Sequence, residues 1–139
     1  MFPDERVAVA VLTNQDAVSA AGQIARGIAP LLLTTSDPAM SEKLEQAKKI
    51  FEGLQHGTID RSLFTDNANA YFSEQALKDF ASGLAPLGAP QQFVQVNQGL
   101  RGGMILRSYR VSFANNRVLS AWTYEMPDGK LEQYQIAEN

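Results

Sequence analysis

The amino-acid sequence predicts an α+β fold, with helices laid across one face of a curved antiparallel sheet. Three observations predict it. Between Pro38 and Leu84 apolar residues recur at helical spacing, and from Gln92 onward they alternate at strand spacing. The strand segments are joined by links of three or four residues, far too short for a parallel crossover, so neighbouring strands must run antiparallel.

The front of the chain reads differently. Val7, Val9 and Val11 alternate with Ala8, Ala10 and Leu12, so both faces of this segment are apolar, as in a strand buried on both sides. Asn14 or Asp16 is placed to cap a helix in which Val18, Ala21, Ile24, Ala25, Ile28 and Leu32 recur at helical spacing. A strand and helix of this kind close a larger sheet, so the chain is expected to be the C-terminal part of a longer protein. Thr34-Thr35-Ser36-Asp37-Pro38 is a polar break, with proline at the first helical position. Residues 1–36 are therefore assigned to the terminal strand and helix of one domain and residues 37–139 to a second.

In the second domain Leu44, Ala47, Ile50, Phe51 and Leu54 form an apolar stripe, and Glu42, Lys43, Glu45, Lys48 and Lys49 are expected to cover the solvent face. Gly57 stops that helix, and a short helical turn follows at Arg61 to Phe64. Ser73 reads as the N-cap of a further helix, with Phe72 and Leu77 as a hydrophobic staple, which Gly83, Pro86, Gly88 and Pro90 bring to an end. Four strands are predicted: Gln92 to Leu100, Met104 to Ala114, Val118 to Met126 and Leu131 to Ala137. Arg101-Gly102-Gly103, Asn115-Asn116-Arg117 and Pro127-Asp128-Gly129-Lys130 link them, and Asp-Gly is a strong hairpin signal.

Composition narrows the function. A formal charge of −3 with scattered basic residues gives no basic face for nucleic acid. The absence of cysteine excludes disulfides, thiolate metal sites and a cysteine nucleophile. The longest apolar runs, Val7 to Leu12 and Ile28 to Leu33, fall far short of the roughly 20 residues a membrane helix needs. A single histidine without a carboxylate cluster builds no metal site, and Asp60, Asp66 and Glu52 read as caps and solvated positions. Gly99, Gly102 and Gly103 lack the following helix that a phosphate-binding loop uses, so no cofactor is expected.

The order of helix, short helix, helix and antiparallel meander resembles the NTF2-like superfamily, also described as SnoaL-like or cystatin-like. The residues carrying the likeness are His56-Gly57-Thr58-Ile59-Asp60 after the first helix and Pro127-Asp128-Gly129-Lys130-Leu131 before the last strand. The resemblance implies a cone of helices on a curved sheet, a fold that hosts isomerases, dehydratases, binding domains and dimerisation modules. The opening Val7-Ala8-Val9-Ala10-Val11-Leu12-Thr13-Asn14 with its helix is similar to the last strand and helix of the serine β-lactamase-related hydrolases, which include penicillin-binding proteins and esterases.

Those hydrolases use a serine followed three residues later by lysine. Ser41, Ser62 and Ser73 reach Leu44, Thr65 and Ala76 instead, and no other serine has lysine at that spacing. No catalytic residue is therefore assigned. The combined resemblances imply a non-catalytic accessory C-terminal domain of a β-lactamase-related serine hydrolase, packing on the catalytic domain, shaping substrate access or mediating self-association. Such a parent would be exported to the periplasm or cell envelope. Expected partners are the parent hydrolase domain and a second copy, joined through the sheet face or the orphaned strand, with no nucleic acid and no membrane span.

The alternative is a stand-alone NTF2-like small-molecule binding protein or isomerase. Tyr109, Trp122, Tyr124 and Tyr134 are its candidate ligand-binding residues, expected on the inner side of the sheet, where aromatic side chains at strand spacing also serve as core pairs. Arg107 and Arg110 fall on opposite faces, and an inward arginine suggests binding of a carboxylate or similar anion.

Overall fold

A computed structural model describes residues 38–138. The strand expected at 7–12 and the helix expected at 16–33 lie outside the described residues. Helix α1 (Pro38–Gln55) leads through a 3₁₀ turn (Arg61–Leu63) to α2 (Asp66–Tyr71) and α3 (Glu74–Leu84). A second 3₁₀ turn (Ala85–Leu87) then precedes strands β1 (Gln92–Arg101), β2 (Met104–Ser112), β3 (Val118–Glu125) and β4 (Leu131–Glu138). The four strands form one antiparallel sheet in chain order. The fold is α+β, and Glu42–Asn139 is one compact unit.

Helix α1 buries Ala47, Ile50, Phe51 and Leu54, the stripe its spacing predicts. It ends in a Schellman arrangement: Thr58 N donates to Gly53 O at 2.8 Å and Gly57 N to Leu54 O at 3.1 Å, with Gly57 at φ 70°. Gln55 Nε2 then donates to Leu84 O at 3.2 Å and Gly88 O at 2.8 Å, fastening the end of α1 to the end of α3.

Helix α2 is the element that the sequence reading lacks. Thr65 caps it, accepting from Ala68 N, and the same hydroxyl donates to Glu132 Oε2 at 2.7 Å, while Asn67 Nδ2 donates to Glu132 Oε1 at 2.8 Å. Six residues are too few to show a helical period, so only the cap residue announced it. Ser73 caps α3 through Ala76 N, as its position predicts.

Alternation along β2 and β3 decides which of their side chains meet the helices, and the irregularity at the start of β4 turns both Leu131 and Tyr134, three residues apart, to the same side. Tyr109, Val111, Leu119, Ala121, Leu131 and Tyr134 face inward and join Phe51, Phe64, Phe72 and Phe93 in the core. Burying each such phenylalanine contributes about 1.5–3 kcal/mol. Gly102 and Gly103, at φ 60° and 79°, form the two-residue hairpin between β1 and β2, a turn whose backbone excludes most other residues. β2 stops at Ser112, two residues earlier than predicted, because Phe113 N turns to Arg117 O and closes the next turn.

Candidate functional site

Arg107 and Glu125 both fall on the inward rows of β2 and β3, where Arg107 pairs with Thr123 and Ile105 pairs with Glu125. The offset brings the two side chains together diagonally, and Arg107 Nη1 donates to Glu125 Oε2. Lys43 Nζ lies 2.9 Å from the other carboxylate oxygen. This position corrects the expectation for Lys43. It precedes Ala47 by four residues and Ile50 by seven, which places it at the head of the buried stripe instead of on the solvent face.

The cluster changes what the inner wall can do. The inward arginine already holds a carboxylate from its own chain, and both oxygens of Glu125 are engaged by cations. Arg107 Nε and Gln95 Oε1 are buried without a protein partner.

The inner tyrosines are committed as well. Tyr134 Oη donates to Ala47 O at 2.8 Å, tying β4 to α1, and burial pushes its phenol well above the ordinary value. Burial also raises the Tyr109 phenol, partly offset by a hydrogen bond with Thr123. Both are protonated, packed core residues near neutral pH.

Trp122 and Tyr124 are on the other side of the sheet, which corrects the expectation that all four aromatic residues line the inner wall. Ala121 and Thr123 are the inward neighbours, so alternation turns Trp122 and Tyr124 outward. Trp122 Nε1 donates to Gln135 Oε1 at 2.6 Å, and Arg101 Nη1 to the Tyr124 hydroxyl at 3.3 Å. Cross-strand register sets Ser108, Trp122 and Gln135 in one outer row and Leu106, Tyr124 and Gln133 in the next. Among the described strand positions of this outer face, Arg101 and Arg110 are the only charged residues, and no carboxylate is present.

A groove of about 510 Å³ runs along β4. Its wall includes Asn67, Tyr71, Phe80, Trp122, Tyr134 and Ile136. It brings Trp122 and Tyr134 together, whereas Tyr109 lies in the core and Tyr124 on the outer face. Tyr71, two-thirds exposed at the end of α2, is the groove residue that sequence reasoning missed, because the helix carrying it was itself unseen.

Among the described residues no three His, Cys, Asp or Glu side chains gather to hold an ion, and no helix is long and apolar enough to cross a membrane. His56, at the end of α1, is exposed, its Nδ1 2.7 Å from Glu52 O. Comparison with protein-family models, with curated proteins and with solved structures found no match to this chain.

Proposed function

We propose that residues 37–139 act as a non-catalytic accessory domain of NTF2-like type, attached to a serine hydrolase related to β-lactamases, and that its outer sheet face is its working surface. One observation carries the reading: Arg107, Glu125 and Tyr134 of the inner wall are engaged by groups of the same chain, while the described strand positions of the outer face carry Trp122, Tyr124 and two arginines and no carboxylate. Depletion of carboxylates with Trp, Tyr and Arg retained is the composition of an association surface. Four strands of about eight residues, 4.8 Å apart with a rise of 3.3 Å per residue, present roughly 500 Å² to a partner. Two such faces bury about 1,000 Å², the threshold of a biological interface and the size of a weak, transient one. A second copy, or the catalytic domain whose substrate access it would shape, fits that surface. The hydrolase assignment itself rests on the sequence resemblance of residues 7–33.

The test of the non-catalytic half is direct. The 139-residue chain is expected to leave a chromogenic β-lactam and a short nitrophenyl ester at their background rates. Turnover abolished by a serine-directed inhibitor overturns the proposal.

The groove at Trp122 and Tyr134 favours a second reading, a stand-alone binder of small hydrophobic acids or ketones or an isomerase acting on them. That reading requires such ligands to raise the thermal midpoint, and Trp122→Ala to remove the shift.

A further inference from the structure

The two edges of the sheet differ in a way that points to a second surface, which shares Trp122 with the outer face. β1 is a protected edge: Val96 bulges from its ladder between Gln95 and Asn97, and Gly99 follows. β4 carries its irregularity only at its start, opposite Tyr124 and Glu125. From Gln133 to Ala137 it has no proline, lysine, glycine or bulge, the devices that keep foreign strands away from an edge.

The start of that edge is already paired. Thr65 N donates to Leu131 O at 3.0 Å, and Phe64 forms a single parallel bridge with Leu131. The chain then turns away into α2, and among the described residues no other backbone group outside the sheet bonds to β4. The groove lies along this stretch, which no other described residue pairs. Among the described residues Glu132 is its only charged wall residue, held by Asn67 and Thr65, whose hydrogen bonds keep its carboxyl below the usual range.

We propose that the edge of β4 from Gln133 to Ala137 accepts an extended peptide from another protein as a fifth strand, its apolar side chains entering the groove beside Tyr71, Phe80 and Ile136 and a basic residue set against Glu132. Main-chain bonds along the edge supply affinity, and the groove and the carboxylate supply selectivity. A second copy is a poorer occupant. In any register β4 (Leu131–Glu138) brings no basic residue to set against Glu132, and Glu138, opposite it when two strands pair antiparallel about Gln135, is already held by Arg117.

Trp122, the chain's single tryptophan, is a built-in reporter in the groove wall. The test titrates the whole chain with two end-capped hexapeptides, Lys-Val-Thr-Val-Thr-Val and the same sequence with Glu in place of Lys, following Trp122 fluorescence and amide hydrogen exchange. The lysine peptide is expected to saturate at least about tenfold more tightly than the glutamate peptide, a difference of about 1.4 kcal/mol. It should slow exchange between Gln133 and Ala137. Glu132→Gln should abolish the discrimination, and Tyr71→Ala, at an exposed position, should weaken both peptides. Of two lysine peptides N-methylated to block one edge or the other, only one should bind. Equal binding of both overturns strand addition, and so does the absence of any saturable change. Protection of Gln133–Ala137 that rises with protein concentration in the absence of peptide assigns the edge to a second copy and overturns it too.

Discussion

Arg107 and Glu125 meet diagonally across β2 and β3 on the helix-facing side of the sheet, and Lys43 reaches the same carboxylate from α1. A carboxylate shared by two cations at the helix–sheet junction holds the layers in register, and removing one member leaves charge buried without compensation. Glu125→Ala is therefore expected to cost about 3–5 kcal/mol, read as a shift of the urea midpoint at unchanged slope. Replacing both Arg107 and Glu125 with methionine should recover part of that loss, because the buried pair's desolvation disappears while Lys43, one-fifth exposed, turns its ammonium to water. A double variant as unstable as the single one would contradict this account.

Tyr134 joins β4 to α1 through its bond to Ala47 O. Tyr134→Phe is expected to lose about 1 kcal/mol, the usual net worth of one hydrogen bond. Its phenol and that of Tyr109 are raised by burial above the ordinary value of 10.0, so the folded state keeps protons that the unfolded chain gives up. Their contribution is complete below pH 10 and is lost as pH rises through the folded values. Stability measured by denaturant at successive alkaline pH values should fall above that point, less steeply in Tyr134→Phe.

The acid limb has the opposite sign. Hydrogen bonds from Asn67 and Thr65 lower the Glu132 carboxyl from its ordinary 4.5, and those from Ser62 lower Asp60 from 3.8. Their contribution is present above those ordinary values and is lost as pH falls through the folded ones. Glu132→Gln should flatten the dependence of stability on pH below 4.5, and Ser62→Ala should flatten it below 3.8. An unchanged slope in both would show that these carboxylates are not held in solution.

Two helical glycines should respond in opposite directions to the same change. A Cβ on Gly53 would stand 2.6 Å from the backbone oxygen of Thr58, whereas one on Gly83 meets nothing within 4 Å. Alanine in a helix ordinarily gains about 0.5–1 kcal/mol over glycine. Thermal melts should show Gly83→Ala stabilised by roughly that amount and Gly53→Ala destabilised despite the better propensity.

Much of the fold was legible because local chemistry and long-range packing agree. Pro38 and Gly57 frame α1, and Gly102-Gly103 and Asp128-Gly129 mark two hairpins. The site was harder to read. In β3 the inward set is Leu119, Ala121, Thr123 and Glu125, while the outward set is Val118, Ser120, Trp122 and Tyr124. The outward set looks the more core-like, so alternation alone gave no reason to choose the correct face. Glu125 is tolerated inside because Arg107 and Lys43 arrive from sequence positions 18 residues before it and from the first turns of α1, contacts that no local pattern encodes. Helix α2, and with it Tyr71 and the groove, escaped because one turn and a half has no period to detect.

Sedimentation velocity of the 139-residue chain over a wide concentration range, beside Trp122→Glu and Tyr124→Glu, tests the central claim most directly. If the outer face is the working surface and a second copy occupies it, the chain self-associates and each substitution returns it to monomer while leaving the thermal midpoint nearly unchanged, since neither side chain belongs to the core. An assembly that survives both substitutions would contradict the account, and a chain that stays monomeric at every concentration would exclude the second copy and leave the catalytic domain as the occupant.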